Sequence, residues 1–254
     1  MQLPPGVHHS IVDSTATVVL GNPAKRNAMT TGMWQALPGL LAALAGDPAV
    51  RALVLTGDGD TFCAGADIST LREPGATGAM PQELAVRAEE ALASFPKPTL
   101  AAVRGYCVGG GSQLAAACDL RFAEEGALFG VTPAKLGIVY PSSSTRRLAA
   151  LVGPSTAKHL LFSGELIDAE RALRTGLVDE VLPAGQLGKR VAEFTRILVS
   201  RSQLTQAAAK EFVDGRTDRD AHWHEQARGS GDTAEGVAAF LERRAPRFEW
   251  EVRG

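Results

Sequence analysis

Cysteine is scarce in this chain. Three are present among 254 residues, an odd number, and no two are spaced as CxxC. A disulfide framework is excluded, and a reducing, cytoplasmic compartment is expected. Charge of one sign is also lacking. Lys plus Arg number 26 against 28 Asp plus Glu, a formal charge of −2. No nucleic-acid or membrane surface built on bulk charge is expected. Long apolar runs are missing too. Arg104 interrupts the best of them, so none reaches the roughly 18 residues of a membrane span. The opening Met-Gln-Leu-Pro-Pro-Gly has no charged or apolar leader, and no signal peptide is expected. Histidine offers no metal set. His222 and His224 are two residues apart on an expected helix and point in different directions. His8-His9 reads as a mobile end, and His159 as a packing residue.

The residues that are present alternate between two periodicities. Strands are expected at Ser14 to Leu20, Arg51 to Thr56, Thr99 to Val103 and Leu120 to Ala123. Helices are expected from Thr30 or Thr31 to Ala45, from Met80 to Ser94 and from Gly111 to Cys118, with Gly and Pro clusters between. This alternation indicates an α/β core with parallel pairing. Beyond about Arg147 the pattern turns helical: Leu148 to Leu151, Thr156 to Phe162, Ala169 to Thr175, Leu187 to Val199, Leu204 to Val213, Asp218 to Arg228, and a last helix from Asp232. Asp232 with Glu235 resembles a capping box. The division expected is a core over 1–195 and a helical region over 196–254 that serves oligomerisation.

Two segments carry the chemistry. Phe62-Cys63-Ala64-Gly65-Ala66-Asp67-Ile68 and Ala101 through Gly109-Gly110-Gly111-Ser112-Gln113 each run from an apolar strand into small residues. Small residues let a ligand touch the backbone. Two such strand ends side by side can hold one oxyanion between two main-chain N–H groups. The plainer alternative for the glycine triplet is close packing of helix on strand.

These segments, with Asn22-Pro23 to Met29, Leu136-Gly137-Ile138 and Arg147-Leu148, Ser163-Gly164 with Ala172 to Val178, and Phe240 to Phe248, form six motifs in order. Together they resemble the enoyl-CoA hydratase/isomerase (crotonase) superfamily over nearly the whole chain. The resemblance implies a ββα spiral with a helical C-terminal region, and a homotrimer or dimer of trimers. It implies an acyl-CoA thioester as ligand, with coenzyme A part of the substrate and no separate cofactor. By position the oxyanion donors are the N–H groups of Ala66 and Gly110. CoA contacts fall on Arg26 and Ala28 in the first motif, on Ala64, Asp67, Ile68 and Ser69 in the second, and on Phe240 and Arg243, which reach a neighbouring subunit's CoA.

The sequence departs from the family at the positions that move protons. The resemblance places the two hydratase glutamates on Gln113 and Pro133. A glutamine has no useful proton affinity, and a proline has no functional group at all. A third slot, used by an Asp in some relatives, holds Pro141. One polar side chain remains nearby, Tyr140, and the run Thr132 to Gly137 followed by this tyrosine resembles the methylmalonyl-CoA decarboxylase branch. Ser142-Ser143-Ser144 reads either as a polar pocket wall or as a plain loop. The expected activity is a lyase acting on acyl-CoA without the glutamate-pair hydration mechanism. Two alternatives stay open: decarboxylation of a malonyl-type thioester with Tyr140 orienting the carboxylate, and acyl-CoA binding without turnover.

Overall fold

The computed structural model describes residues 5–67 and 79–252. Its frame is a six-stranded sheet of β1 (Gly6–Val12), β2 (Thr15–Gly21), β3 (Ala52–Gly57), β4 (Thr99–Val103), β6 (Leu120–Glu124) and β9 (Glu180–Leu182), in that spatial order. β1 runs antiparallel to β2, and every later pairing is parallel. β3 and β4 are almost wholly buried, which explains why they read as continuous apolar runs. A smaller sheet of β5 (Tyr106–Val108), β7 (Leu128–Gly130) and β8 (Ile167–Asp168) lies beside it.

Helices cover both faces. On one side α1 (Thr31–Gly46), α2 (Ala79–Ala93), α3 (Gly110–Ala117) and α4 (Ser142–Ser163) pack on one another. Their core includes Trp34, Leu37, Leu92 and Leu114. On the other side α6 (Leu187–Val199) lays Leu187, Val191 and Phe194 against Val54, Leu100 and Phe122 of the sheet. α5 (Ala169–Arg174) leads into β9. The remaining helices, α7 (Gln203–Val213), α8 (Asp220–Ser230) and α9 (Asp232–Glu242), gather around Leu204, Ala207 and Trp223. The mixed α/β architecture agrees with the sequence expectation.

Local chemistry sets several boundaries. Thr30 Oγ1 accepts from Met33 N at 3.3 Å and Asp168 Oδ1 from Arg171 N at 2.7 Å, each capping a helix N-terminus. Inside α4, Gly153 takes φ 73° just before Pro154 and divides the helix into two pieces. Sequence reading found those two pieces but stopped short at the front, because Ser142–Ser144 form the first turn of α4 and not a loop.

Two further expectations are corrected. His8 and His9 lie in strand β1, opposite Val19 and Val18, because the β2 edge offers a free ladder to pair with. The Asp232–Glu235 capping box does not form. Gly231 is the cap residue, and the buried Asp232 carboxylate instead accepts Ser202 Oγ at 2.6 Å. Glu235 turns to Arg244 at 2.6 Å.

Candidate active site

The two small-residue segments meet as their spacing requires. Cys63 N donates to Tyr106 O at 2.8 Å, and Val108 N donates to Cys63 O at 3.0 Å. This ladder sets Gly65-Ala66 beside Gly109-Gly110. A Cβ on Gly110 would lie 3.6 Å from Ala66 N, and one on Gly65 would lie 3.6 Å from Gly110 N. Gly109, at φ 55° and ψ −117°, makes the sharp turn from β5 into α3, a region that residues with a Cβ rarely enter. Gly111 answers a different need. A Cβ there would sit 2.3 Å from Cys63 O, so both readings of the triplet hold at once, each for a different glycine.

Among the described residues, neither Ala66 N–H nor Gly110 N–H has a hydrogen-bond partner. The neighbouring N–H groups are occupied: Gly109 N by Gly130 O at 2.9 Å and Asp67 N by Met29 O at 2.9 Å. Ala66 is exposed and Gly110 half-buried. Gly110 also opens α3, where the helix dipole adds partial positive charge. Two donors left vacant at the same spot can bind one anionic or polarised oxygen.

The side chains around this pair are distributed as follows. Tyr140 Oη donates to Gly109 O at 3.5 Å, the carbonyl of the same peptide that carries the Gly110 N–H. Burial pushes this phenol above its ordinary range, so it is a neutral donor at any working pH. Thr132-Pro133 begins a 3-10 turn, with Thr132 Oγ1 3.8 Å from where a Gly109 Cβ would be. Pro133 is buried and its side chain presents no polar atom. Gln113 sits one turn along α3 from Gly110, its own N–H bound to Gly109 O at 3.0 Å.

Sequence reading missed Glu89. This α2 residue is wholly buried and lies against Gln113. Its Oε2 accepts Gln113 Nε2 and Ser144 Oγ, both at 2.5 Å, and its Oε1 pairs with the Arg147 guanidinium. One signal was available. Ala85, Ala88 and Leu92 form the inward stripe of α2 at helical spacing, and Glu89 falls on that stripe while Glu90 points outward.

The residues assigned to CoA are less concentrated. Arg26 is exposed and stacks over the Tyr106 ring at 4.6 Å. Ala28 is buried, and Ala64 N donates to Arg26 O at 3.0 Å, tying the first motif to the second. The Asp67 carboxylate is buried and meets Lys25 Nζ at 2.7 Å. Ile68 and Ser69 lie outside the described residues. Phe240 is 83% exposed on α9, and Arg243 closes that helix at φ 55°. The structure brings neither of them to the Ala66–Gly110 pair. Cys63 and Cys107 are sealed near the pair, and burial holds both thiols protonated. Neither is a nucleophile there. Among the described residues no cluster of His, Cys, Asp or Glu has metal-binding form, and no helix is long and apolar enough to cross a membrane.

Known proteins resemble this chain in sequence and in fold. The family model described as Enoyl-CoA hydratase/isomerase matches residues 10–251. A crotonyl-CoA hydratase from Syntrophomonas wolfei is 36% identical over 93% of this chain and 95% of its own. A 2,3-dehydroadipyl-CoA hydratase from Escherichia coli is 31% identical over 91% and 94%. The solved structure of an enoyl-CoA hydratase/isomerase family protein from Hyphomonas neptunium superposes with a TM-score of 0.91, at 37% identity, over 98% of each chain. By sequence and by fold, this chain belongs to the enoyl-CoA hydratase/isomerase family.

Proposed function

We propose that this protein binds an acyl-CoA thioester and polarises its carbonyl between the N–H groups of Ala66 and Gly110. The single observation behind this is the pair of adjacent, unpartnered backbone donors at the mouth of α3. A thioester carbonyl gains negative charge as an enolate forms, and fixed donors stabilise that charge without reorganising. Coenzyme A is part of the ligand, and no separate cofactor is needed. The relatives named above are hydratases of acyl-CoA, which supports the ligand class.

The reaction is that of a lyase, run without a glutamate pair. Gln113 and Pro133 cannot exchange protons with water. General acid–base help is worth roughly 10²–10⁴ in rate. Hydration at an ordinary family rate is therefore not expected. Tyr140 favours a second reading, decarboxylation of a malonyl-type thioester. Its neutral hydroxyl rests on the carbonyl of the Gly109–Gly110 peptide and, on leaving it, can donate to a carboxylate on the ligand. Loss of CO₂ needs an enolate-stabilising site and no base. The third reading, binding without turnover, uses the same donors.

Assembly as a homotrimer or dimer of trimers belongs to the same proposal. α9 leaves Val237, Phe240 and Leu241 exposed, an apolar strip that a partner subunit would cover. Mass spectrometry of enoyl-, malonyl- and methylmalonyl-CoA after incubation separates the readings. Loss of CO₂ supports the second, unchanged but tightly bound thioesters the third. Rapid hydration of crotonyl-CoA would falsify the roles given to Gln113 and Pro133.

A further inference from the structure

We propose that Glu89 is a positioning residue that fixes the Gln113 amide, so that Gln113 presents a hydrogen-bond acceptor, Oε1, to the acyl-CoA site. This rests on the reading of Ala66 and Gly110 as the thioester site. The argument begins with what a buried carboxylate can do. Paired with a guanidinium, it only accepts. The Gln113 group at 2.5 Å from Glu89 Oε2 must then be the amide nitrogen. That choice settles the other end of the amide. Gln113 Oε1 has no partner among the described residues, and it is not one of the sealed, unpartnered polar atoms. Gln113 is 5% exposed, so this oxygen keeps only a narrow opening.

That opening belongs to the site. Gln113 follows Gly110 by three residues on α3, and side chains at that spacing lie on one face about 5–6 Å apart at Cβ. An acyl group whose carbonyl sits on Gly110 N–H passes Gln113 at the next atoms along its chain. The cluster is also well anchored. Ser144 and Arg147 come from α4, Glu89 from α2 and Gln113 from α3, so three helices hold one amide orientation. With Glu89 absent, the amide could turn over and offer Nε2 instead. A glutamine left to choose would suit donors and acceptors alike. A locked one favours an acyl group carrying a donor near the thioester and disfavours one carrying a carboxylate there.

Calorimetric titration of the full chain with 3-hydroxybutyryl-CoA and butyryl-CoA tests this. The two probes differ by one hydroxyl. Wild type is expected to bind the hydroxylated probe about fivefold tighter, the worth of one hydrogen bond of about 1 kcal/mol. Glu89→Gln is expected to reduce that ratio to about one while butyryl-CoA affinity stays within about twofold. A merely structural role for Glu89 would lower both affinities and leave their ratio alone, and that result overturns the proposal. Gln113→Met keeps Glu89 paired with Ser144 and Arg147, so it remains informative if Glu89→Gln fails to fold. Its ratio is also expected near one, and an unchanged ratio overturns the proposal. Failure of wild type to bind either thioester would instead overturn the site reading itself.

Discussion

Tyr140 Oη donates to the carbonyl oxygen of Gly109 at 3.5 Å, and that same oxygen accepts the Gln113 backbone N–H at 3.0 Å. The longer of the two is weak by its length. The phenol can therefore release Gly109 and turn to a ligand without unfolding the α3 start. Tyr140→Phe is expected to change the melting temperature little and to leave thioester binding within about threefold. Turnover of a malonyl-type thioester, where it occurs, is expected to fall by about tenfold or more. Burial raises the phenol above its ordinary range, so no tyrosine limb is expected in the pH–rate profile below about pH 10. An unchanged rate in the Phe variant removes Tyr140 from the mechanism.

Ala66 offers the cleanest test of the donor pair, because its side chain is exposed and only its N–H is at issue. Ala66→Pro deletes that N–H. A single lost donor of this kind costs about 3–4 kcal/mol of transition-state stabilisation, or roughly 10²–10³ in rate. The expected outcome is such a fall in kcat/KM on whichever thioester the protein consumes, with circular dichroism unchanged. Ala66→Ser retains the N–H and is expected to retain most activity. Equal losses in both variants would show that the backbone donor is not what matters.

Burial pushes the Cys63 and Cys118 thiols up to about 12, and that of Cys107 higher still. The folded state thus favours the neutral thiol over the thiolate. The stabilisation is complete below the unfolded thiol value, near pH 8.5, and is lost as pH rises toward 12. All three thiols are expected to resist iodoacetamide at pH 8 in the native state and to react after denaturation. The urea midpoint is expected to fall steadily from about pH 9 upward. Rapid labelling of native protein at pH 8 would contradict the burial.

Much of this architecture is legible in the chain. β4 and α6 span the residues that their periodicity predicts, because each has one face or both against the sheet and sharp breakers at its ends. The short strands β5, β7 and β8 are not legible. Two or three residues cannot show a period, and they form only because the spiral brings them side by side. Ala66 lies beside Gly110, and Gln113 and Tyr140 both reach the Gly109 carbonyl. Glu89 was hidden for the opposite reason. In sequence it is one of two adjacent glutamates, which reads as a solvated face. Only the approach of Gln113 and Arg147 from two other helices makes its burial tolerable. Asp232 failed as a cap for a similar cause, since Ser202 across the helical region claims its carboxylate.

Lys97 is a further buried charge, 2% exposed, and its role is structural. Its ammonium donates to the carbonyl oxygens of Asp47 at 2.8 Å and Leu44 at 3.4 Å, at the C-terminal end of α1. Leu44 O belongs to the last turn of α1, and Asp47 O, on the residue that caps the helix, also accepts Val50 N at 3.1 Å. A cation there also meets the negative end of the helix dipole. Desolvation pulls the ammonium below its ordinary range, which shows that burial opposes the charge, while the nearby Asp47 offsets part of that cost. Lys97→Met fills the same space but takes the ammonium from the buried Leu44 carbonyl, while Asp47 O keeps the Val50 N–H. It is expected to lower stability by about 1–3 kcal/mol in urea unfolding, with thioester affinity unchanged. Lys97→Arg keeps the donors in a larger head and is expected to recover only part of the loss. A Met variant as stable as wild type would show that water satisfies the α1 terminus without Lys97.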